Sequence, residues 1–157
     1  SRLMDTGGRK GTGTSDAGPL EDFQARFRAR THAVLGIPGE MCVNEYGMTE
    51  LSSQFYDSAL LDHQGKIERP GPRVKIIPPW VRAFALNAST LEPLPAGKTG
   101  LLKFIDLANA GSVSAVLTED LGSIVEGGFV LAGRPRLAEA RGCGLTFDEL
   151  ARGGGTE

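Results

Sequence analysis

The run Asn44-Glu45-Tyr46-Gly47-Met48-Thr49-Glu50-Leu51 follows a short apolar stretch, Met41-Cys42-Val43, and gathers groups that a phosphate-bearing ligand needs. Gly47 lets backbone come close to a ligand. Thr49 offers a hydroxyl and a backbone N–H to a phosphate oxygen. Glu50 supplies a carboxylate for Mg2+, which takes oxygen ligands and keeps positions for water or substrate phosphates. Tyr46 carries a flat ring on which another ring can stack. Taken alone, a Gly-x-Thr-Glu run is also what a polar turn after a strand looks like.

Three later residues add to this set. Asp120, in Thr118-Glu119-Asp120-Leu121-Gly122, has a carboxylate that can accept hydrogen bonds from both hydroxyls of a ribose. By itself it reads as a strand-end carboxylate capping a turn with Gly122. Arg134 offers directional guanidinium donors. Cys143 sits in Arg141-Gly142-Cys143-Gly144, where the neighbouring cation favours the thiolate and the glycines give access. A small buried cysteine in a turn is the plain alternative. Cys42, inside an apolar run, reads as core. His32 and His63 have no catalytic partner visible in the sequence. No spacing points to zinc or to a Ser-His-Asp set.

Tyr46-Gly47-Met48-Thr49-Glu50 resembles a signature of the adenylate-forming enzymes: acyl-CoA synthetases, luciferases and nonribosomal adenylation domains. Thr118-Glu119-Asp120-Leu121-Gly122 resembles a second signature of the same superfamily, with Glu119 where many members have glycine. Gly133-Arg134 and Arg141-Gly142 follow in the order of its hinge motif. The flanking Glu50-Leu51-Ser52-Ser53-Gln54-Phe55-Tyr56-Asp57 and Arg141-Gly142-Cys143 look most like the acyl-protein synthetase branch, which includes the long-chain fatty acid–luciferin component ligases.

The resemblance implies ATP and Mg2+ as cofactors, a carboxylic acid of the fatty type as substrate, and a thiol as acyl acceptor. The thiol would be the chain's own cysteine, coenzyme A or a carrier protein. It gives Thr49 a phosphate contact, Glu50 the metal, Tyr46 the adenine, Gly47 the close approach, Asp120 and Arg134 the ribose, and Cys143 the acyl group. Such enzymes are much longer, so the chain reads as the C-terminal portion of one and is expected to be inactive in isolation. The residues after Arg134, Pro135 and Arg136, depart from the usual hinge, and no catalytic lysine of a following domain can be assigned. The alternatives are a non-catalytic nucleotide- or acyl-binding remnant, or an interaction module in a biosynthetic complex.

The elements that must hold these residues point to an α+β fold. A partial α/β layer with one main helix joins a small, mainly antiparallel sheet or distorted barrel. Helix signals run from Pro19 to Leu35, with Glu21 and Asp22 in the first turn and Gly36 as a stop. Leu20, Phe23, Phe27, Ala33 and Val34 mark an apolar face, and Arg26, Arg28 and Arg30 a solvated one. Met41–Val43 reads as a strand, and residues 51–60 as a short helix or irregular stretch. Beyond residue 70, glycine and proline punctuate candidate strands at Arg73–Ile77, Val81–Leu86, Gly100–Asp106, Ala115–Leu117, Leu121–Glu126 and Gly128–Leu131. Residues 87–99 read as a hairpin loop. The expected division is 1–60 for the nucleotide-binding part, 61–132 for the β-rich part and 133–157 for a hinge-like segment and tail.

The 157 residues are 40% hydrophobic, enough for a core, but only 6% aromatic. A net charge of −2 without a basic run disfavours nucleic acid. No apolar stretch approaches the ~20 residues of a membrane span. Two distant cysteines are too few for a disulfide framework, which leads to the expectation of a cytoplasmic protein.

Overall fold

The computed structural model describes residues 1–6, 20–65 and 73–134. Helix α1 covers Leu20–Leu35 and stops where Gly36 takes φ +64 and donates its N–H to the His32 carbonyl at 2.9 Å. A left-handed turn of this kind suits glycine. Of the apolar face expected on α1, Phe23, Phe27 and Val34 are exposed among the described residues. Arg28 departs from the solvated role expected for the helix arginines. It is partly buried near Arg73, Asp57 and Asp5, and burial lowers its pKa.

Two sheets carry the fold. In the first, β1 (Leu3–Thr6) runs parallel to β2 (Cys42–Tyr46), and β3 (Phe55–Tyr56) pairs antiparallel with the end of β2. Helix α2 (Ala59–Gly65) follows, so the stretch 51–60 is a loop, a two-residue strand and a helix start. The second sheet is antiparallel throughout, in the order β4-β8-β7-β6-β5. Its strands are β4 (Lys75–Ile76), β5 (Val81–Leu86), β6 (Thr99–Asp106), β7 (Ala115–Val125) and β8 (Gly128–Gly133). Among the described residues this sheet stays open, with β4 and β5 at its edges, and no barrel closes.

The turns follow from local chemistry. Residues 87–98 link β5 to β6, and the Asn87 side chain accepts the N–H groups of Ser89 and Thr90. Gly127 at φ +80 turns β7 into β8. Gly128 has a steric role: a Cβ there would lie 2.0 Å from the Lys75 carbonyl, where β4 pairs with β8. The prolines at 78 and 79 keep β4 short, because proline cannot donate to a ladder.

The core lies between the sheets. Tyr46 and Phe55 come from the first; Val81, Leu102, Phe104 and Phe129 come from the second. The four aromatic rings sit with centroids 4.9–6.0 Å apart, in tilted or edge-on arrangements. Rings at such distances add about 0.5–1.5 kcal/mol per pair beyond their area burial. A chain poor in aromatics thus concentrates four of them where the sheets meet. Leu51, from the loop after β2, also packs here.

Candidate active site

Strand β2 ends at Tyr46, and the chain enters the loop that carries Thr49 and Glu50. Both side chains face solvent, and the Thr49 hydroxyl donates to Glu50 Oε2 at 3.1 Å. The loop is anchored just after them. Leu51 is buried, and its N–H reaches the Met48 carbonyl at 3.2 Å. Asp106, fully buried at the end of β6, accepts the N–H groups of Ser52 and Ser53 at 3.1 and 2.8 Å. It also accepts the Ser53 hydroxyl at 2.8 Å and the Ala108 N–H at 3.0 Å. Four donors satisfy a carboxylate that would otherwise be costly to bury. Trp80 is half-exposed, and its indole N–H reaches the Ser53 hydroxyl at 2.9 Å.

Asp120 does not lie at a strand end. It sits inside β7, at a break in the pairing. Leu121 pairs with Leu101, and Leu117 pairs with Lys103, so three residues of β7 face one residue of β6. Thr118 bridges this bulge. Its hydroxyl donates to the Leu102 carbonyl at 2.8 Å and accepts the Asp120 N–H at 3.1 Å. A second irregularity, against β8, falls between Leu121 and Gly122. Bulges re-aim side chains, and this one is built by the threonine of the Thr-x-Asp-x-Gly run. Gly122 is needed nearby: a Cβ there would come 2.6 Å from the Val130 carbonyl.

The Asp120 carboxylate joins the two signature segments. Tyr46 donates its hydroxyl to Oδ2 at 2.7 Å, and Arg134 donates Nε to Oδ1 at 2.5 Å. Burial, then the bond to Asp120, pushes the Tyr46 hydroxyl well above the usual tyrosine range. The bond to Asp120 raises the Arg134 pKa. The Tyr46 ring itself belongs to the core, with 8% of its surface exposed, which leaves little of it for a flat ligand. Tyr46, Asp120 and Arg134 are therefore in direct contact, and Gly47, Thr49 and Glu50 follow Tyr46 in the adjoining loop. Cys143 lies outside the described residues. Among those described, no three His, Cys, Asp or Glu side chains form a ready-made metal cage. One exposed carboxylate beside a hydroxyl still suits Mg2+, which is commonly held by one or two carboxylates together with substrate phosphates.

The sequence reading missed a buried polar cluster below β2. Lys75, 3% exposed, donates to the backbone carbonyl of Asn44 at 2.6 Å and to its Oδ1. The Asn44 amide group donates to Asp5 Oδ2 at 2.8 Å, and its backbone N–H to Asp57 Oδ2 at 3.1 Å. Arg73 pairs with Asp57 at 3.0 Å and donates to the Cys42 and Gly39 carbonyls. Cys42 is buried beside this cluster, as expected. The available signal was a lysine inside Val74-Lys75-Ile76, where a charge interrupts an apolar run.

Burial holds the Lys75 pKa down to about 8 against the ordinary 10.5, although Asp57, Asp5 and Glu45 pull it up. The unfolded chain therefore keeps a proton that the folded chain has lost, and stability rises with pH through this window. Tyr46 acts oppositely above pH ~10, where only the unfolded tyrosine ionises. Urea unfolding is thus expected to show a Lys75 contribution growing by about 1 kcal/mol between pH 8 and pH 9. Lys75→Met should lose that increment. An equal gain in the variant would refute the assignment.

The two-sheet arrangement, with a signature loop beside the bulged strand, is the fold of the adenylate-forming enzymes. McyG A-PCP complexed with phenylalanyl-adenylate superposes with a TM-score of 0.56 at 16% identity, over 86% of this chain and 22% of that one. The chain belongs to the LuxE acyl-protein synthetase family, whose sequence profile matches residues 53–151. It is 40% identical over 50 residues to the long-chain-fatty-acid–luciferin-component ligase of Vibrio harveyi, and 38% over 52 residues to that of Aliivibrio fischeri. These stretches are 32% and 33% of this chain, but only 13% and 14% of the two relatives. No described helix is long and apolar enough to cross a membrane.

Proposed function

We propose that the chain is part of an ATP-dependent ligase that activates a carboxylic acid as acyl-AMP and passes the acyl group to a thiol. The observation carrying this reading is the Tyr46–Asp120–Arg134 contact, which draws the two signature segments together in a chain of the LuxE family. In the first step a carboxylate oxygen of the acid attacks the α-phosphorus, and the bond to pyrophosphate breaks. In the second a thiolate sulfur attacks the acyl carbon and AMP leaves.

No side chain of this segment need act as nucleophile in the first step. Positioning and charge compensation suffice. Thr49 contacts phosphate, and Glu50 supplies the carboxylate for Mg2+, which when bound neutralises charge on the phosphate oxygens. Asp120, aimed by its bulge, accepts the ribose hydroxyls with the lone pairs that Tyr46 and Arg134 leave open. Tyr46 serves Asp120 rather than adenine. Cys143 is the acyl acceptor. The acid is long-chain by analogy with the matched relatives.

Two outcomes test the reading. The isolated chain is expected to make no acyl-AMP, because most of the relatives' length lies outside the match; robust carboxylate-dependent pyrophosphate exchange by these residues alone would count against it. In the intact ligase carrying this segment, Glu50→Gln should lower Mg2+-dependent adenylation by roughly tenfold. An unaffected variant removes Glu50 from the metal.

A further inference from the structure

We propose that Asn109 is a positioning residue for Glu50, and that the turn after β6 sets where the signature loop presents its carboxylate. The proposal rests on the reading of Glu50 given above. Its basis is a set of contacts across 59 residues of sequence. Asn109 Nδ2 donates to the Glu50 backbone carbonyl at 2.9 Å and to the Val113 carbonyl at 2.9 Å. Its Oδ1 accepts the Ser52 hydroxyl at 3.0 Å. One side chain therefore ties the loop at Glu50 and at Ser52 to the turn that closes behind it.

That turn is itself fixed. The Asn109 N–H reaches the Asp106 carbonyl at 3.2 Å, and the Asp106 side chain turns back to the Ala108 N–H. Asp106 is fully buried and holds Ser52 and Ser53. Asp106 secures the far end of the loop against the core, and Asn109 carries that rigidity to the exposed end, where Thr49 and Glu50 begin. A polar group held by a carbonyl on one side and a buried anchor on the other loses little freedom on binding a ligand, which is the basis of preorganisation. A misplacement of about 1 Å at such a site costs up to a hundredfold in rate.

Aspartate is the informative replacement. Asn109→Asp keeps an acceptor for Ser52 and the capacity to shape a turn, but loses the donor to both the Glu50 and the Val113 carbonyls. A purely structural role predicts that the loss shows in the melting temperature. Positioning predicts that it shows in the Mg2+ requirement while the fold stays intact. In the intact ligase, pyrophosphate exchange should be titrated with Mg2+ at fixed ATP and acid for the wild type, Asn109→Asp, Asn109→Ala and Glu50→Gln. Both Asn109 variants are expected to keep the wild-type melting temperature within a few degrees, to need roughly three- to tenfold more Mg2+ for half-maximal rate, and to add little when combined with Glu50→Gln. If Glu50→Gln is impaired and Asn109→Asp has the wild-type Mg2+ requirement, the positioning role is overturned while the reading of Glu50 survives. If Glu50→Gln matches the wild type, both fall. Loss of the fold in both Asn109 variants makes the residue a structural turn element and also overturns the proposal.

Discussion

Asp120→Asn in the intact ligase is expected to lower carboxylate-dependent pyrophosphate exchange by roughly a hundredfold, which corresponds to about 2.7 kcal/mol. The carboxylate is nearly buried and accepts from both Tyr46 and Arg134. An asparagine of the same shape has one acceptor oxygen and one donor group. If the oxygen faces Arg134, the amide nitrogen meets the Tyr46 hydroxyl, which can rotate to accept. The charge-assisted bond to Arg134 is weakened, and no second acceptor remains for the ribose hydroxyls. Bonds to charged groups are worth about 1.5–3 kcal/mol, so losing them at a ligand accounts for the expected size. Tyr46→Phe is the control. It keeps the ring in the aromatic core and removes only the hydroxyl, so it should cost far less, about tenfold or under. A wild-type rate for a folded Asp120→Asn enzyme would remove Asp120 from the nucleotide site. Equal losses in the two variants would place the whole effect in the Tyr46–Asp120 bond.

Local chemistry made much of this fold legible. Val81–Leu86 forms the strand that its β-branched and alternating residues predict, and α1 ends at Leu35, where Gly36 can adopt a positive φ. The failures occur where a partner distant in sequence decides the outcome. Two strands were expected across residues 115–126, separated by a turn at the Thr-x-Asp-x-Gly run; one continuous β7 is found. A threonine–aspartate–glycine sequence is good turn chemistry. It becomes a bulge because the Thr118 hydroxyl finds the Leu102 carbonyl in the neighbouring strand. Tyr46 shows the same limit. A tyrosine beside a glycine loop can offer its face or its hydroxyl to a ligand, and three phenylalanines from separate strands decide where the ring goes. For Asp106 and Asn109, the Asp-Leu-Ala-Asn run advertises a turn, but its grip on residues 50–53 exists only once β6 is beside the loop.

Cys143→Ser in the intact ligase should separate adenylation from acyl transfer completely. Given ATP and a labelled long-chain acid, the wild-type enzyme is expected to carry label at Cys143 as a thioester, which hydroxylamine releases. The serine variant should form acyl-AMP at the wild-type rate, since that step needs no thiol, and carry no hydroxylamine-labile label. The expectation starts from sequence, because Cys143 lies outside the described residues but inside the stretch matched by the family profile. In sequence, Arg141 stands two residues away, and a cation near a cysteine lowers its pKa toward the thiolate, the nucleophilic form. Cys42 cannot substitute. It is buried at the start of β2, its thiol donates to the Pro38 carbonyl, and burial pushes its pKa up, which disfavours both access and the thiolate. Cys42→Ser should therefore leave the label in place, which makes it the internal control. Normal acyl transfer by Cys143→Ser would end the assignment and move the acceptor to coenzyme A or a carrier protein.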